Sequence, residues 1–143
     1  MQILRLSIFL IFAVVLSIYD IKFLKVPVVV LLAQIFSLVI FDFFLFRNNL
    51  CQNGIGAVSC FSILLLTYFI SKHNLGFGDV EFGFSVGWLL GDWLWIPALF
   101  AATALGIVFI LVKNKAAKTK KIPFVPFLGF SSLCIGIFHN TNL

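Results

Sequence analysis

Residues 26–46 read VPVVVLLAQIFSLVIFDFFLF, a run that contains one ionisable side chain, Asp42. About 20 predominantly apolar residues in an α-helix are enough to cross the hydrocarbon core of a bilayer. A soluble protein would have to expose part of such a helix to water, which is unfavourable for so many large apolar side chains. The run therefore predicts a helix that spans a membrane.

The rest of the chain repeats this pattern. Of its 143 residues, 62% are hydrophobic and only 10% are charged, which excludes an ordinary soluble domain. The apolar stretches cover residues 2–19, 26–46, 53–71, 80–90, 93–112 and 122–139. The fourth stretch is the shortest and has acidic residues at both ends. We predict an all-α membrane protein, a single domain over residues 1–143 that forms a bundle of about six transmembrane helices.

The basic residues predict the orientation of this bundle. Lys and Arg close to the ends of spanning helices are retained mainly on the cytoplasmic side. Most of them follow the first, third and fifth stretches: Lys22, Lys25, Lys72, Lys113, Lys115, Lys118, Lys120 and Lys121. Arg5 and Arg47 lie at the opposite ends of the helices. We expect the N-terminus on the external side and those three loops in the cytoplasm.

Other features of the composition exclude some functions. The net charge of +5 does not indicate a nucleic-acid partner, because no soluble basic face with interleaved aromatic residues accompanies it. Cys51, Cys60 and Cys134 form no CxxC pair and have no histidine at metal-ligand spacing. We interpret them as apolar fillers and expect neither a metal site nor another cofactor.

Two carboxylates stand out, because Asp at the centre of a membrane helix costs about 2.5 to 3.5 kcal/mol on insertion scales. Asp20 ends the first stretch and precedes Pro27, which can begin the next helix. Asp79 ends the sequence Gly76-Phe77-Gly78-Asp79, whose glycines allow unusual backbone shapes. Both should lie at the cytoplasmic edge, whereas Asp42 and Asp92 should lie toward the external side in boundary or turn roles.

Each carboxylate also has a plainer interpretation. Asp20 can be a solvated boundary charge beside Lys22 and Lys25. Asp79 can cap the N-terminus of the next helix, a role that is compatible with catalysis. Glu81 should point about 200° round that helix from Asp79, so it is an accessory to the pair at most.

Three stretches together resemble the type IV prepilin peptidases, a family of membrane aspartyl proteases named for a GxGD motif. Residues 20–27, DIKFLKVP, are similar to the family's D-x6-P segment. Residues 76–82, GFGDVEF, are similar to its GxGD-V-K-L motif. Residues 122–129, IPFVPFLG, resemble the Pro-Phe-rich start of its last helix. The order and spacing of these stretches make the combination more specific than GxGD alone.

The resemblance implies an intramembrane aspartyl endopeptidase whose catalytic carboxylates are Asp20 and Asp79, with backbone support from Gly76, Gly78 and Pro27. It implies cleavage, without a cofactor, of the short basic leader of a type IV prepilin-like, archaellin-like or tight-adherence pilin precursor. The expected site of cleavage is the cytoplasmic face of the cytoplasmic (inner) membrane. The expected partners are this precursor and the lipid bilayer, with no nucleic acid.

Two positions depart from the family pattern, Val28 where an Asn is usual and Glu81 where a Lys is usual. Glu81 is a candidate substrate contact. Longer family members carry a segment with four cysteines that accompanies methylation of the new pilin N-terminus. This sequence shows no such segment, so the resemblance implies peptidase activity without methyltransferase activity.

Other functions remain open from the sequence. A non-catalytic membrane subunit or small transporter would use Asp20 and Asp79 to bind a cation or a partner, although transport favours carboxylates near the bilayer midplane. A degenerate peptidase that binds pilins without cutting them would share every motif. Tyr19-Asp20 also resembles the Tyr-Asp of presenilin-like and signal-peptide-peptidase enzymes, which are far longer.

Overall fold

The computed structural model describes residues 2–23, 25–45, 49–71, 75–113 and 123–141. Within these ranges the chain forms six α-helices and no β-strand. The helices are α1 (Gln2–Phe23), α2 (Val28–Leu45), α3 (Leu50–Ile70), α4 (Phe77–Leu90), α5 (Trp95–Lys113) and α6 (Val125–Thr141). The prediction of an all-α bundle of about six helices is confirmed.

The helices of the described ranges differ in how far they can reach across a bilayer. Four of them, α1, α2, α3 and α5, are long and apolar enough to cross a membrane. With 14 residues, α4 extends about 21 Å, less than the roughly 30 Å of a hydrocarbon core. Large apolar side chains such as Phe36, Phe100 and Leu111 point outward, where lipid can cover them. The chain is therefore a membrane protein.

The shortest helix, α4, lies at the centre and packs against all five others. Its closest neighbour is α3, and the two helices approach most tightly at Gly56 and Gly87. A Cβ atom at either glycine would collide with the backbone of the other helix. Small residues let membrane helices come this close and gain van der Waals contact, since lipid supplies no hydrophobic drive between helices.

The remaining helices surround α4. Helix α6 packs between α1 and α5, and α2 packs mainly against α1 and α4. The rings of Phe9 and Phe82, with centroids 5.7 Å apart, join α1 to α4 in the core. Leu16 and Leu128 are fully buried in the same cluster. This packing holds the C-terminal end of α1 and the N-terminal ends of α4 and α6 at one end of the bundle.

A buried ion pair ties the opposite end together. The Nη2 atom of Arg5 lies 2.9 Å from Oδ2 of Asp42. The same oxygen accepts hydrogen bonds from Nδ2 of Asn53 at 3.0 Å and from Nε1 of Trp88 at 2.8 Å. Arg5 also donates to the carbonyl oxygen of Trp88 at 2.7 Å. These contacts connect α1, α2, α3 and α4.

This network corrects one prediction. We expected Asp42 to have a boundary or turn role, and that is wrong, because its side chain is fully buried and paired inside the bundle. Its partners come from three other helices, so the sequence around it gives no indication of them. Asp92 does lie in the turn between α4 and α5, where its carbonyl oxygen accepts a hydrogen bond from Nε1 of Trp95.

Part of the orientation argument rests on residues outside the described ranges. They are Arg47, Lys72, Lys115, Lys118, Lys120 and Lys121. Arg5, which was counted as an external charge, is mostly buried beside Asp42. The expected external N-terminus therefore stays a prediction.

Removing one partner of the buried ion pair should destabilise the bundle. Asp42→Ala leaves the Arg5 guanidinium buried without its counter-charge, and we expect it to lower the free energy of unfolding by about 3 kcal/mol. The measurement is detergent-induced unfolding in mixed micelles, followed by the loss of helical circular dichroism.

Asp92→Ala is the matched control, because its carboxylate lies in a partly exposed turn. We expect it to change the free energy of unfolding by no more than about 0.5 kcal/mol. The double variant Arg5→Met, Asp42→Leu should recover part of the loss, since apolar replacement of a buried ion pair is often neutral. Equal stability of Asp42→Ala and wild type would contradict a stabilising role for the pair.

Candidate active site

Asp20 lies in the last turns of α1 and has only 6% of its surface exposed. Its Oδ2 accepts a hydrogen bond from the backbone N–H of Val125 at 3.2 Å, and the backbone of Phe124 also contributes. The free N–H groups at a helix start need acceptors, and Pro123 and Pro126 carry none. The Pro-Phe-rich segment thus directs its remaining donors to Asp20.

This environment overturns the plainer interpretation of Asp20 as a solvated boundary charge. Lys22 and Lys25 are exposed, and in the part of the chain that is described neither forms an ion pair with Asp20. The ammonium of Lys22 instead lies 5.3 Å from the ring centre of Phe23. The negative charge of Asp20 is stabilised by backbone N–H groups, and no cation of the described residues pairs with it.

Asp79 lies in the first turn of α4 and has 7% of its surface exposed. Its Oδ2 accepts a hydrogen bond from the backbone N–H of Gly76 at 3.2 Å. Gly76 is the N-cap residue and Asp79 the third residue of the helix, so the carboxylate reaches back to the cap instead of serving as the N-cap residue that we expected. Its other oxygen, Oδ1, is buried and has no hydrogen-bond partner among the residues that the structure describes. An unpartnered buried oxygen is unfavourable unless a proton, water or substrate meets it.

The two carboxylates lie at the same end of the bundle, within range of each other's charge. Two carboxyl groups that share a buried site cannot both be ionised at low cost, so the pair should hold one proton. Asp42 lies beside Arg5 at the other end of α1 and takes no part.

The first two quoted motifs pack directly on each other. A Cβ atom at position 78 would lie 2.5 Å from the Cβ of Val26, so Gly78 allows α4 to begin against the segment that follows α1. Pro27 immediately precedes α2, and its carbonyl oxygen accepts hydrogen bonds from the N–H groups of Val30 and Leu31 at 3.1 and 3.2 Å. This contact helps to hold Asp79 near Asp20.

Glu81 follows Asp79 by two residues on α4 and is partly buried. Its Oε2 atom has no hydrogen-bond partner among the described residues.

Sequence reasoning missed the main-chain donors at Phe124 and Val125, for which the proline-rich segment was the available signal. In the described ranges no group of three or more His, Cys, Asp or Glu residues could hold a metal ion.

The fold and the site define a class of protein, an all-helical membrane protein that buries two carboxylates together at one end of its bundle. The model of the type IV leader peptidase family matches residues 7–111, which include Asp20 and Asp79. The chain belongs to this peptidase family, and the resemblance seen in the sequence is confirmed. No significant match is found among curated proteins or solved structures.

Filling the space at Gly78 should disturb the contact that supports Asp79. We expect Gly78→Ala to lower the free energy of unfolding by about 1 to 3 kcal/mol, since the new methyl group overlaps Val26. The double variant Val26→Gly, Gly78→Ala should recover much of this loss. Thermal unfolding in detergent micelles provides the measurement.

Gly106→Ala is the matched control, because a Cβ atom there meets nothing within 4 Å. In the interior of α5 this substitution should be neutral or stabilising by about 0.5 to 1 kcal/mol. If Gly78→Ala and Gly106→Ala had the same effect, the close contact with Val26 would carry no energetic weight.

Proposed function

We propose that this protein is an intramembrane aspartyl endopeptidase that removes the short basic leader of a type IV prepilin-like precursor. Archaellin-like and tight-adherence pilin precursors belong to the same substrate class. The observation that carries the proposal is the buried pair of Asp20 and Asp79 in a chain of the type IV leader peptidase family. The reaction is hydrolysis of one peptide bond, and it needs no cofactor.

The surroundings of the two carboxylates favour different roles. Asp20 accepts hydrogen bonds from backbone N–H groups at the start of α6, and such donors favour the ionised form of an acid over the protonated form. We assign Asp20 as the ionised general base that takes a proton from the attacking water. Asp79 has an unpartnered oxygen, Oδ1, and we assign it the proton that is donated to the scissile carbonyl oxygen.

The reaction then proceeds by acid–base steps alone. The water oxygen bonds to the carbonyl carbon as Asp20 accepts the water proton and Asp79 protonates the carbonyl oxygen. The tetrahedral intermediate collapses when the C–N bond breaks and Asp20 returns its proton to the leaving amine. The hydroxyl proton of the intermediate returns to Asp79, which restores the starting state.

The apolar helix of the substrate is proposed to bind in the membrane. The exposed faces of the helices are apolar, so the apolar helix of a pilin can lie beside them in lipid with its leader at the carboxylates. Lys22 lies in the last turn of α1 and Lys25 shortly after it, at the same end as Asp20. Basic residues at this end support a site at the cytoplasmic face of the inner membrane.

Replacing either carboxylic acid by its amide should abolish cleavage. We expect Asp20→Asn and Asp79→Asn each to lower the cleavage rate at least about a hundredfold, because Asn keeps the size but neither accepts nor donates the catalytic proton. The measurement is a gel shift of a co-expressed prepilin whose leader lies in the cytoplasm, so that cleavage also tests the orientation.

Asp92→Asn serves as the control and should cleave like wild type, since Asp92 lies outside the pair. Cleavage that survives either amide substitution would refute the assigned pair. Wild type that cleaves no precursor would favour a degenerate peptidase or a membrane subunit in which these carboxylates bind a cation or a partner.

Glu81 is proposed to bind the basic leader. It follows Asp79 on α4, and its buried Oε2 lacks a partner that a lysine side chain of the leader can supply. We expect Glu81→Lys to reduce cleavage of a lysine-containing leader about tenfold or more, because a like charge replaces an attractive one.

The same gel shift tests this role with two leaders. A leader whose lysines are replaced by glutamates should be cleaved better by Glu81→Lys than by wild type. If wild type and Glu81→Lys prefer the same leader, Glu81 does not select the leader by its charge.

A further inference from the structure

A cavity lies over the C-terminal end of the short central helix α4, at the end of the bundle opposite Asp20 and Asp79. Its volume of about 320 Å³ is at the small end of the range of roughly 300 to 1,000 Å³ that is usual for ligand sites. The charged, amide and imidazole side chains among its described lining are Arg5, Asn49, Gln52, Asn53, Asp92 and His139. The cavity therefore combines a small volume with several groups that can bind a polar ligand.

The cavity exists because α4 ends before its neighbours do. Gly56 of α3 packs against the backbone of Gly91, where α4 ends, so residues 50–55 project about 9 Å past α4. On α6, Gly136 lies against the last turn of α4, and His139 stands one turn further out. Since α1 and α3 are long enough to span a membrane and α4 is not, the recess falls at the level of the lipid headgroups.

Hydrogen-bond donors border one side of the cavity. The N-cap residue of α3, Asn49, makes no side-chain capping bond, so the first N–H groups of this helix lack that acceptor. Arg5 adjoins α3, because Asn53 binds the same oxygen of Asp42. Both polar contacts of Arg5 with described residues use Nη2, which leaves Nη1 for another partner. A helix N-terminus beside an arginine suits a phosphate group.

Hydrogen-bond acceptors border the cavity near the turn after α4. Asn53 has only 5% of its surface exposed and donates through Nδ2 to Asp42, so its amide orientation is fixed. Its Oδ1 faces Gly91, 3.3 Å from where a Cβ atom would stand there, and accepts no hydrogen bond from the described residues. Asp92 follows directly, and its carboxylate forms no ion pair with a described residue. Two such oxygens suit a primary ammonium group, which has three N–H donors.

The charges around the cavity favour a ligand that carries both signs. Asp42 already neutralises Arg5, and Asp92 would repel a ligand that is only anionic. A ligand that is only cationic would leave the donors of Arg5 and α3 without an acceptor. Trp93 is 73% exposed at the cavity, and tryptophan is enriched where membranes meet water. The expected ligand is therefore a zwitterion at the membrane surface.

We propose that this cavity binds a phosphoethanolamine group. The phosphate lies at Arg5 and the N-terminal end of α3, and the ammonium lies at Asn53 and Asp92. The same group occurs as the headgroup of phosphatidylethanolamine and as a free soluble molecule, and both are tested below. The cavity is remote from the carboxylates of the proposed peptidase, so this binding is independent of cleavage.

The first test measures which lipid the protein retains. The full-length protein is placed in vesicles of equal parts phosphatidylethanolamine, phosphatidylcholine and phosphatidylglycerol, extracted in detergent, and examined by native mass spectrometry. We expect about tenfold more retained phosphatidylethanolamine than phosphatidylcholine, whose quaternary ammonium has the same charge but no N–H donor. Equal retention of these two lipids, or more phosphatidylglycerol than phosphatidylethanolamine, would overturn the proposal.

Variants at position 92 locate the binding in this cavity. Asp92→Asn should lower the preference for phosphatidylethanolamine over phosphatidylcholine at least about fivefold, because it removes the charge that pairs with the ammonium. Asp92→Lys should go further and retain phosphatidylglycerol over phosphatidylethanolamine. The control is Lys22→Gln, which changes an exposed charge at the other end of the bundle and should keep the wild-type preference.

Stability is measured alongside retention. In detergent without added lipid, both variants at position 92 should unfold at the temperature of wild type, since Asp92 lies in a partly exposed turn. A wild-type preference that persists in both Asp92→Asn and Asp92→Lys would overturn the assignment of the ammonium to this residue and with it the proposed site.

A second measurement identifies the source of the group. Soluble phosphoethanolamine and a short-chain phosphatidylethanolamine are added separately, at millimolar concentration, to the protein in detergent. A ligand that binds only the folded state raises the thermal midpoint. A rise with the lipid alone identifies the headgroup, and an equal rise with the soluble molecule identifies the free group as sufficient. No rise with either would overturn the proposal, and none of these results depends on peptidase activity.

Discussion

The close approach of α3 and α4 at Gly56 and Gly87 is the constraint on which the rest of the bundle depends. Because lipid is as apolar as the helices, association in a membrane relies on tight packing and on polar contacts between helices. The two glycines let the backbones touch, and this brings a helix too short to span easily into the centre. With α4 fixed there, its first turn carries Asp79 into the interior, and α1 and α6 close around it.

Three buried aspartates show how differently a carboxylate can be compensated in one small bundle. Asp42 has a cation and two neutral donors, Asp20 has main-chain N–H groups, and Asp79 has one main-chain N–H and an oxygen without a partner. Among the described residues, one oxygen of Asp42 and one oxygen of Asp79 lack a hydrogen-bond partner, but only Asp42 has a cation beside it. The compensation of negative charge therefore falls from the Arg5 end of the bundle to the end where water and substrate are proposed to react.

Much of this arrangement could be predicted from the sequence, and the remainder could not, for physical reasons. Apolar runs long enough for a bilayer predicted the helices, and the helix order predicted that Asp20 and Asp79 lie at the same end of the bundle. The helix ends were less accurate: α1 continues to Phe23, because polar residues at a membrane edge do not interrupt a helix, and α4 already begins at Phe77. The role of Asp42 depends on contacts between distant segments, which a local pattern does not encode.

The donors to Asp20 at the start of α6 are main-chain atoms, so they do not depend on which side chains stand there. The hydrogen bond to Asp20 comes from the N–H of Val125, and any residue except proline would supply the same donor. Side chains at positions 124 and 125 can therefore be exchanged while the polar environment of Asp20 is kept. The shape around the two carboxylates, and with it the substrate range of the proposed peptidase, can therefore change while the main-chain donors to Asp20 stay in place.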